Sequence, residues 1–218
     1  MMTRRTMAFG MAASGVASTL PQVALAADLP ALDLPAPRRE GGRPLMEALM
    51  LRRSTRAYTA TPLSRQLLSD LLWAANGVNR PSGDRTAPYW RHIMVIDIYA
   101  AMADGVWLYE PQTHTLKPYL AGDIRADTGM QDFVGTAPLD LIYVAHGERM
   151  TDVNAEDRRL YASVDAGFIG QNVYLFCASA GLGTVFRGAV PYKALAERLA
   201  LPPEQFVVFA QTVGFPSV

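Results

Sequence analysis

The 218-residue chain has a single cysteine, Cys177, so no disulfide can close within it. Its three histidines, His92, His114 and His146, stand at no metal-ligand spacing from one another, which argues against a zinc centre, and no metal ligand is assigned. Lysine is almost missing: Lys117 and Lys193 are the only two among 20 basic residues, and the others are arginine. Twenty acidic residues balance them, so there is no global basic field to attract nucleic acid or an anionic membrane. The sequence offers no nucleophile–base triad, and no side chain is assigned a catalytic role. What remains is half apolar and 18% charged, an ordinary composition for a soluble globular protein with room for one sizeable core or two small ones.

The first 26 residues read as a targeting segment. Thr3-Arg4-Arg5-Thr6-Met7 supplies a positive start, Ala8 to Leu20 a small-residue apolar stretch, and Ala24-Leu25-Ala26 a small-x-small cleavage pattern. The stretch is too short and too rich in Ala, Gly and Ser to span a membrane. The paired arginines point to the twin-arginine route, an ordinary secretory signal being the alternative, so the expected location is the periplasm. Removing residues 1–26 takes Arg4 and Arg5 and no acid, leaving 192 residues with a net charge of −2. A lone thiol suits an oxidising compartment, having no partner within its own chain to mispair with.

Residues 27–43 form an extended leader, stiffened by Pro30, Pro35 and Pro37, that lies on the surface or reaches to a partner chain. The remaining residues, 44–218, read as one domain. A first helix is expected from Pro44 to Leu51. A second is expected to be capped by Thr61 with Pro62 at its first position, carrying Leu67, Leu68, Leu71, Leu72 and Ala75 on one face and ending at Asn76-Gly77 with Gly77 left-handed. Residues 78–91 form a long polar loop. Strands are expected at 93–99, 106–109, 115–119, 139–145 and 206–213, with a short extended piece at 184–186. Helices are expected at 123–133, 192–200 and, longest, 155–180, the last capped by Asn154 and Asp157 and stopped by Gly181. Ala162, Ala166 and Gly170 repeat every four residues in that long helix, a small-residue face for close packing against either the core or a second helix. Strands and helices mix without strict alternation, which makes the class α+β.

Arg52, Arg53, Ser54 and Arg56 crowd three guanidinium groups into five residues where the first helix ends. A phosphate group gives such a cluster a reason to converge, because bidentate arginine forks and a serine hydroxyl match its oxygens. A solvated basic helix end is the alternative, since arginine near a helix C-terminus is favourable in any case.

The order of motifs resembles the nitroreductase family. Arg52-Arg53-Ser54-Thr55-Arg56-Ala57-Tyr58 precedes the Leu-rich helix ending in Trp73-Ala74-Ala75-Asn76-Gly77. Thr86-Ala87-Pro88 comes before the first sheet strand, and Gly170-Gln171-Asn172-Val173-Tyr174-Leu175 lies in the long helix. Gly181-Leu182-Gly183-Thr184-Val185-Phe186-Arg187-Gly188 and Ala210-Gln211-Thr212-Val213-Gly214-Phe215-Pro216 follow. The resemblance covers residues 44–216. It implies a mixed sheet flanked by helices, a homodimer with the long central helix at the interface, and flavin mononucleotide (FMN) in a cleft between subunits. It assigns phosphate and ring-edge contacts to Arg52, Arg53, Ser54 and Arg56, and flavin-ring contacts to Arg187 and Gly188, with a backbone N–H near Gly188 facing the reactive nitrogen.

The resemblance further implies an oxidoreductase that passes two electrons from a reduced donor through flavin to an electron-poor acceptor of nitroaromatic or quinone type. A nicotinamide nucleotide, NAD(P)H, is the usual donor; for an exported protein a membrane quinol or a redox-protein partner is the alternative. A dehydrogenase of peptide or azoline substrates and a non-catalytic flavin- or ligand-binding module are the competing readings. The loop departs from the family's Pro-Ser-x-x-Asn-x-Gln pattern: Pro88 is followed by Tyr89, Trp90, Arg91, His92, Ile93 and Met94. His92 stands where an Asn would contact flavin, either as a donor to it or as a structural histidine. Tyr89 and Trp90 either stack on a flat ligand or narrow the cleft.

Overall fold

The computed structural model describes residues 30–217; the expected targeting segment lies outside these. The longest element shows how local chemistry sets an element's limits. Helix α3 (Ala155–Ala180) starts where the Asn154 side chain accepts the Asp157 N–H, and stops at Gly181, whose φ of 74° is left-handed and whose N–H returns to Cys177 O. Both ends fall where the sequence signals put them. Helix α1 (Leu45–Leu51) begins after Pro44.

Helix α2 (Arg65–Asn76) starts later than Thr61, because Ser64 supplies the cap, its Oγ accepting the Leu67 N–H. It buries Leu68, Leu71, Leu72 and Ala75, each buried Leu contributing roughly 1.5–3 kcal/mol relative to exposure. Gly77 ends it in an extended conformation, φ −75°, and not left-handed. Glycine is needed there for space: a Cβ would overlap the Trp73 ring and backbone.

Seven strands, β1 (Leu32–Asp33), β2 (Ile96–Met102), β3 (Gly105–Glu110), β4 (Thr115–Ala121), β5 (Leu139–His146), β6 (Gly183–Arg187) and β7 (Gln205–Gly214), form one sheet in the order β1-β4-β3-β2-β5-β7-β6. Among the described residues every ladder is antiparallel, and the one parallel contact is the isolated bridge between Ser54 and Thr184. β2 begins three residues later than expected, because Arg91 (φ 47°) and His92 (φ 58°) turn the chain through the left-handed region just before it. The expected helix at 123–133 is two 3₁₀ turns, Arg125–Thr128 and Asp132–Gly135. Between them the backbone bonds elsewhere, Met130 N–H donating to Ala189 O.

β5 is buried along its whole length, and its alternation divides the core. Leu139, Leu141, Tyr143 and Ala145 face α2 and α3 with Leu71, Leu72, Ala166 and Val173. Ile142 and Val144 face the other side, with Leu195 and Leu199 around helix α4 (Tyr192–Arg198). The two faces of one strand therefore sort the helices into two layers.

The small-residue face of α3 turns inward. Ala162, Ala166 and Gly170 are buried on the sheet, and a Cβ on Gly170 would come within 2.5 Å of the Phe186 ring. The sheet is thus what the small residues admit, so of the two partners open to that face in the sequence the core is the one it meets, and not a second helix. The exposed apolar stripe of α3 is a different face, Leu160, Val164 and Phe168, with Gly167 open between them. The described part of the leader, residues 30–43, packs on its own chain. β1 pairs with β4, Ser69 Oγ donates to Pro35 O, and Arg38 binds Asp70 through backbone and side chain.

Candidate active site

The end of α1 runs straight into the edge of the sheet. Thr55 N–H donates to Thr184 O at 2.9 Å beside the Ser54–Thr184 bridge, so residues 52–55 lie along the start of β6. Gly183 permits this approach, since a Cβ there would stand 2.7 Å from Thr55 Cγ2. A cavity of about 340 Å³ opens at this junction, lined among others by Arg52, Arg53, Thr55, Tyr174, Leu182 and Thr184.

Among the described residues neither Arg52 nor Arg53 has a carboxylate within 4 Å. Arg52 lies over the Tyr174 ring at 5.2 Å. The neighbouring Arg43 is different, because Glu47 already pairs with it. The cavity therefore presents two uncompensated guanidinium groups, which suits an anionic guest.

Tyr174 links this anionic end to β6. Its hydroxyl bonds Ser54 Oγ at 2.8 Å and accepts the Phe186 N–H at 3.0 Å. With its oxygen accepting from Phe186, the phenol has one proton to donate, to Ser54 or to a guest. Sequence reasoning gave Tyr174 no role of its own. The signal was its place in α3, about two turns before Gly181, but only the fold brings that face beside Ser54.

The other expected site residues divide. Arg56 is exposed and does not line the cavity. Gly188 is exposed at the end of β6, its carbonyl accepting from Tyr192 Oη at 2.9 Å. His92 is exposed on the loop before β2, 3.9 Å from Asp84 and edge-on to Tyr89, away from the arginine cavity.

Arg187 does not present its side chain to a ligand. Its guanidinium is buried in a network with Asp140 at 2.8 Å, Thr128 O at 2.9 Å, Thr128 Oγ1 at 3.1 Å and Thr212 Oγ1 at 3.0 Å. Strand alternation explains this: Arg187 follows Phe186 on β6 and so points to the opposite face. Gly129 leaves the space, since a Cβ there would overlap Arg187 Nη1. Burial pushes the Asp140 carboxyl up to about 6, with Arg187 and Thr212 drawing it back.

A second ionised group sits at the far end of β5. His146 is hydrogen-bonded on both ring nitrogens, to Asp97 at 2.7 Å and Glu148 at 2.8 Å. Burial lowers its basicity, yet the two carboxylates outweigh that and raise it above the usual range. An imidazole facing a carboxylate on each side needs two N–H donors, which is the protonated form.

Comparison with known proteins fits this geometry. The description "Nitroreductase family" matches residues 49–215. The chain belongs to the nitroreductase family. It is an oxidoreductase of that family, with the α+β fold expected from the motif order. A protein of Methanocaldococcus jannaschii, provisionally named a nitroreductase, is 35% identical over 180 residues, covering 78% of this chain and 90% of its own length. A crystal structure from Ralstonia eutropha, also provisionally a nitroreductase, is 44% identical with a TM-score of 0.84, over 91% of this chain and 95% of that one. An NADPH:FMN oxidoreductase of Vibrio harveyi, solved with NAD⁺, shares the fold at 23% identity and a TM-score of 0.60, over 80% of this chain and 69% of that one.

Proposed function

We propose that this protein is an FMN-dependent oxidoreductase in which Arg52, Arg53 and Ser54 hold the phosphate and Gly188 borders the flavin ring. The observation that carries the reading is the pair of uncompensated arginines in the cavity where α1 meets β6, joined through Ser54 and Tyr174 to the strand that ends just before Gly188. FMN supplies a two-electron redox centre when bound. The protein's part is to bind and orient it: arginine forks fix the phosphate, Tyr174 holds Ser54 and the Phe186 backbone in register, and the exposed Gly188 offers bare backbone to the ring. In the net reaction the donor, NAD(P)H or a membrane quinol, gives up two electrons. An electron-poor acceptor gains them with two protons, a quinone becoming a hydroquinone.

The reading extends to a homodimer, in which the exposed stripe Leu160, Val164 and Phe168 on α3 and the exposed Leu45, Met46 and Met50 of α1 meet a second copy. It extends also to export through the amino-terminal segment. An exported form whose intact mass begins at Ala27 would support export, and one retaining Met1 would overturn it.

The central test is flavin affinity. One charge-assisted contact is worth about 1.5–3 kcal/mol, so Arg52→Ala is expected to weaken FMN binding about 10- to 100-fold in a fluorescence-quenching titration, with Arg53→Ala lower in the same direction. A protein that takes up no FMN, or an Arg52→Ala variant that binds it as tightly as the parent, would overturn the assignment.

A further inference from the structure

The sheet has a gap beside Gly188. The β6–β7 ladder ends at the pair Arg187 and Ala210, after which the chain turns away through Gly188 to Pro191 into α4. The preceding part of β7, Phe206 to Phe209, therefore has no strand from β6 alongside it. A cavity of about 210 Å³ occupies this gap, bounded by Arg159 and Ser163 of α3, Tyr192 of α4, and Phe206 and Phe209 of β7. None of these residues lines the Arg52–Arg53 cavity.

The walls have a specific chemistry. Phe209 packs on Phe186 with ring centroids 4.7 Å apart, and its ring comes within 3.7 Å of the Cβ position of Gly188. The Tyr192 hydroxyl is committed to Gly188 O, and the Ser163 hydroxyl to Arg159 O at 2.7 Å. That leaves Arg159 as the charged group of the cavity. Its guanidinium lies over the Phe206 ring at 4.8 Å. The adjacent Arg158 reaches Glu204 at 3.5 Å, whereas Arg159 has no carboxylate within 4 Å among the described residues.

We propose that this gap is the acceptor site and that it selects a planar aromatic ring bearing a carboxylate, with the ring against Phe206 and Phe209 and the carboxylate on the fork of Arg159. The proposal rests on the flavin reading for the word acceptor; the ligand class follows from the walls alone. A cavity of about 150 Å³ is enough for benzene, so 210 Å³ has room for one ring and a substituent. Two aromatic walls favour a flat ring. An arginine beside an aromatic ring and with no protein counter-ion among the described residues can bind an anion without first breaking an ion pair.

The test compares 4-nitrobenzoate with the neutral, near-isosteric 4-nitrobenzamide. Dissociation constants are measured by ligand-observed NMR titration on the full chain with and without FMN, and KM is measured on the flavin-loaded enzyme. The carboxylate is expected to bind about tenfold more tightly than the amide, the low end for a charge-assisted contact at an exposed site. Arg159→Gln should bring the ratio to about one, while Arg158→Gln, one residue away, retains it. Equal binding of the two ligands by the parent protein, or a preference that survives Arg159→Gln, would overturn the proposal. A protein that fails to take up FMN but keeps an Arg159-dependent preference would refute the flavin reading and support this site. A flavin-loaded enzyme with no preference would do the reverse.

Discussion

Replacing Asp140 with alanine removes the only carboxylate beside Arg187 among the described residues, and the Arg187 side chain is 1% exposed. The guanidinium then keeps Thr128 and Thr212 as hydrogen-bond partners but loses its counter-charge while buried. Removing one member of a buried pair costs about 3–5 kcal/mol, most of it the uncompensated charge left behind. For a domain of this size each kcal/mol lowers Tm by about 2–4 °C, so a drop on the order of 10 °C is expected. Differential scanning calorimetry at neutral pH, with urea midpoints as a second measure, reads it directly. The double variant Asp140→Leu/Arg187→Met removes both charges and should recover much of the loss, because burying a pair also costs solvation.

The pH dependence gives a sharper check. Burial raises Asp140 from 3.8 to about 6, so folding takes up a proton between those values. Its contribution to stability therefore declines as pH rises through that window and is constant above it. The double variant should lack this component. An Asp140→Ala cost below about 1 kcal/mol, or a double variant as unstable as the sum of the two single changes, would refute the reasoning. FMN affinity in the double variant should stay near that of the parent, because Arg187 sits on the opposite face of β6 from the proposed cofactor.

The His146 cluster should oppose loss of a proton. Its raised basicity means that the stability it adds is complete below about 6.5, the ordinary histidine value, and is lost as pH rises through its folded value. The difference in urea midpoint between the parent and His146→Gln should accordingly shrink from pH 6 to pH 9, and a difference that is constant or grows would contradict the doubly hydrogen-bonded imidazolium. On the outer face of α3, Phe168→Asp should shift the protein to a monomer in sedimentation velocity while leaving the far-ultraviolet circular dichroism intact. An unchanged dimer, or a parent that is itself monomeric, would show that the Leu160–Val164–Phe168 stripe has another purpose.

Elements governed by local chemistry were legible before any coordinates. Asn154 and Gly181 mark the ends of α3 because capping depends on residues within one turn, and the strands expected at 106–109 and 115–119 are β3 and β4, which pair across a short turn. Local rivals are harder to rank. Thr61 and Ser64 are both good caps by residue type, and the structure uses Ser64. Arg52 to Arg56 could be read as an anion site because like charges crowd together in the sequence. Nothing in the sequence distinguishes Arg159 from Arg158, since one is paired with Glu204 through the tertiary structure and the other is not.

By itself, then, the amino-acid order determined the α+β class and the candidate phosphate cluster, which rest on patterns within short segments, and the resemblance to the family, which rests on the order of motifs over residues 44–216. Tertiary structure decided direction. It turned Ala162, Ala166 and Gly170 toward the sheet and Phe168 away from it. It placed Arg187 in a buried pair with Asp140 while Arg52 and Arg53 stayed in an open cavity. Burial and partner choice are properties of residues far apart in the chain, and the same guanidinium is a structural tie or a binding group according to which carboxylate the fold brings within reach.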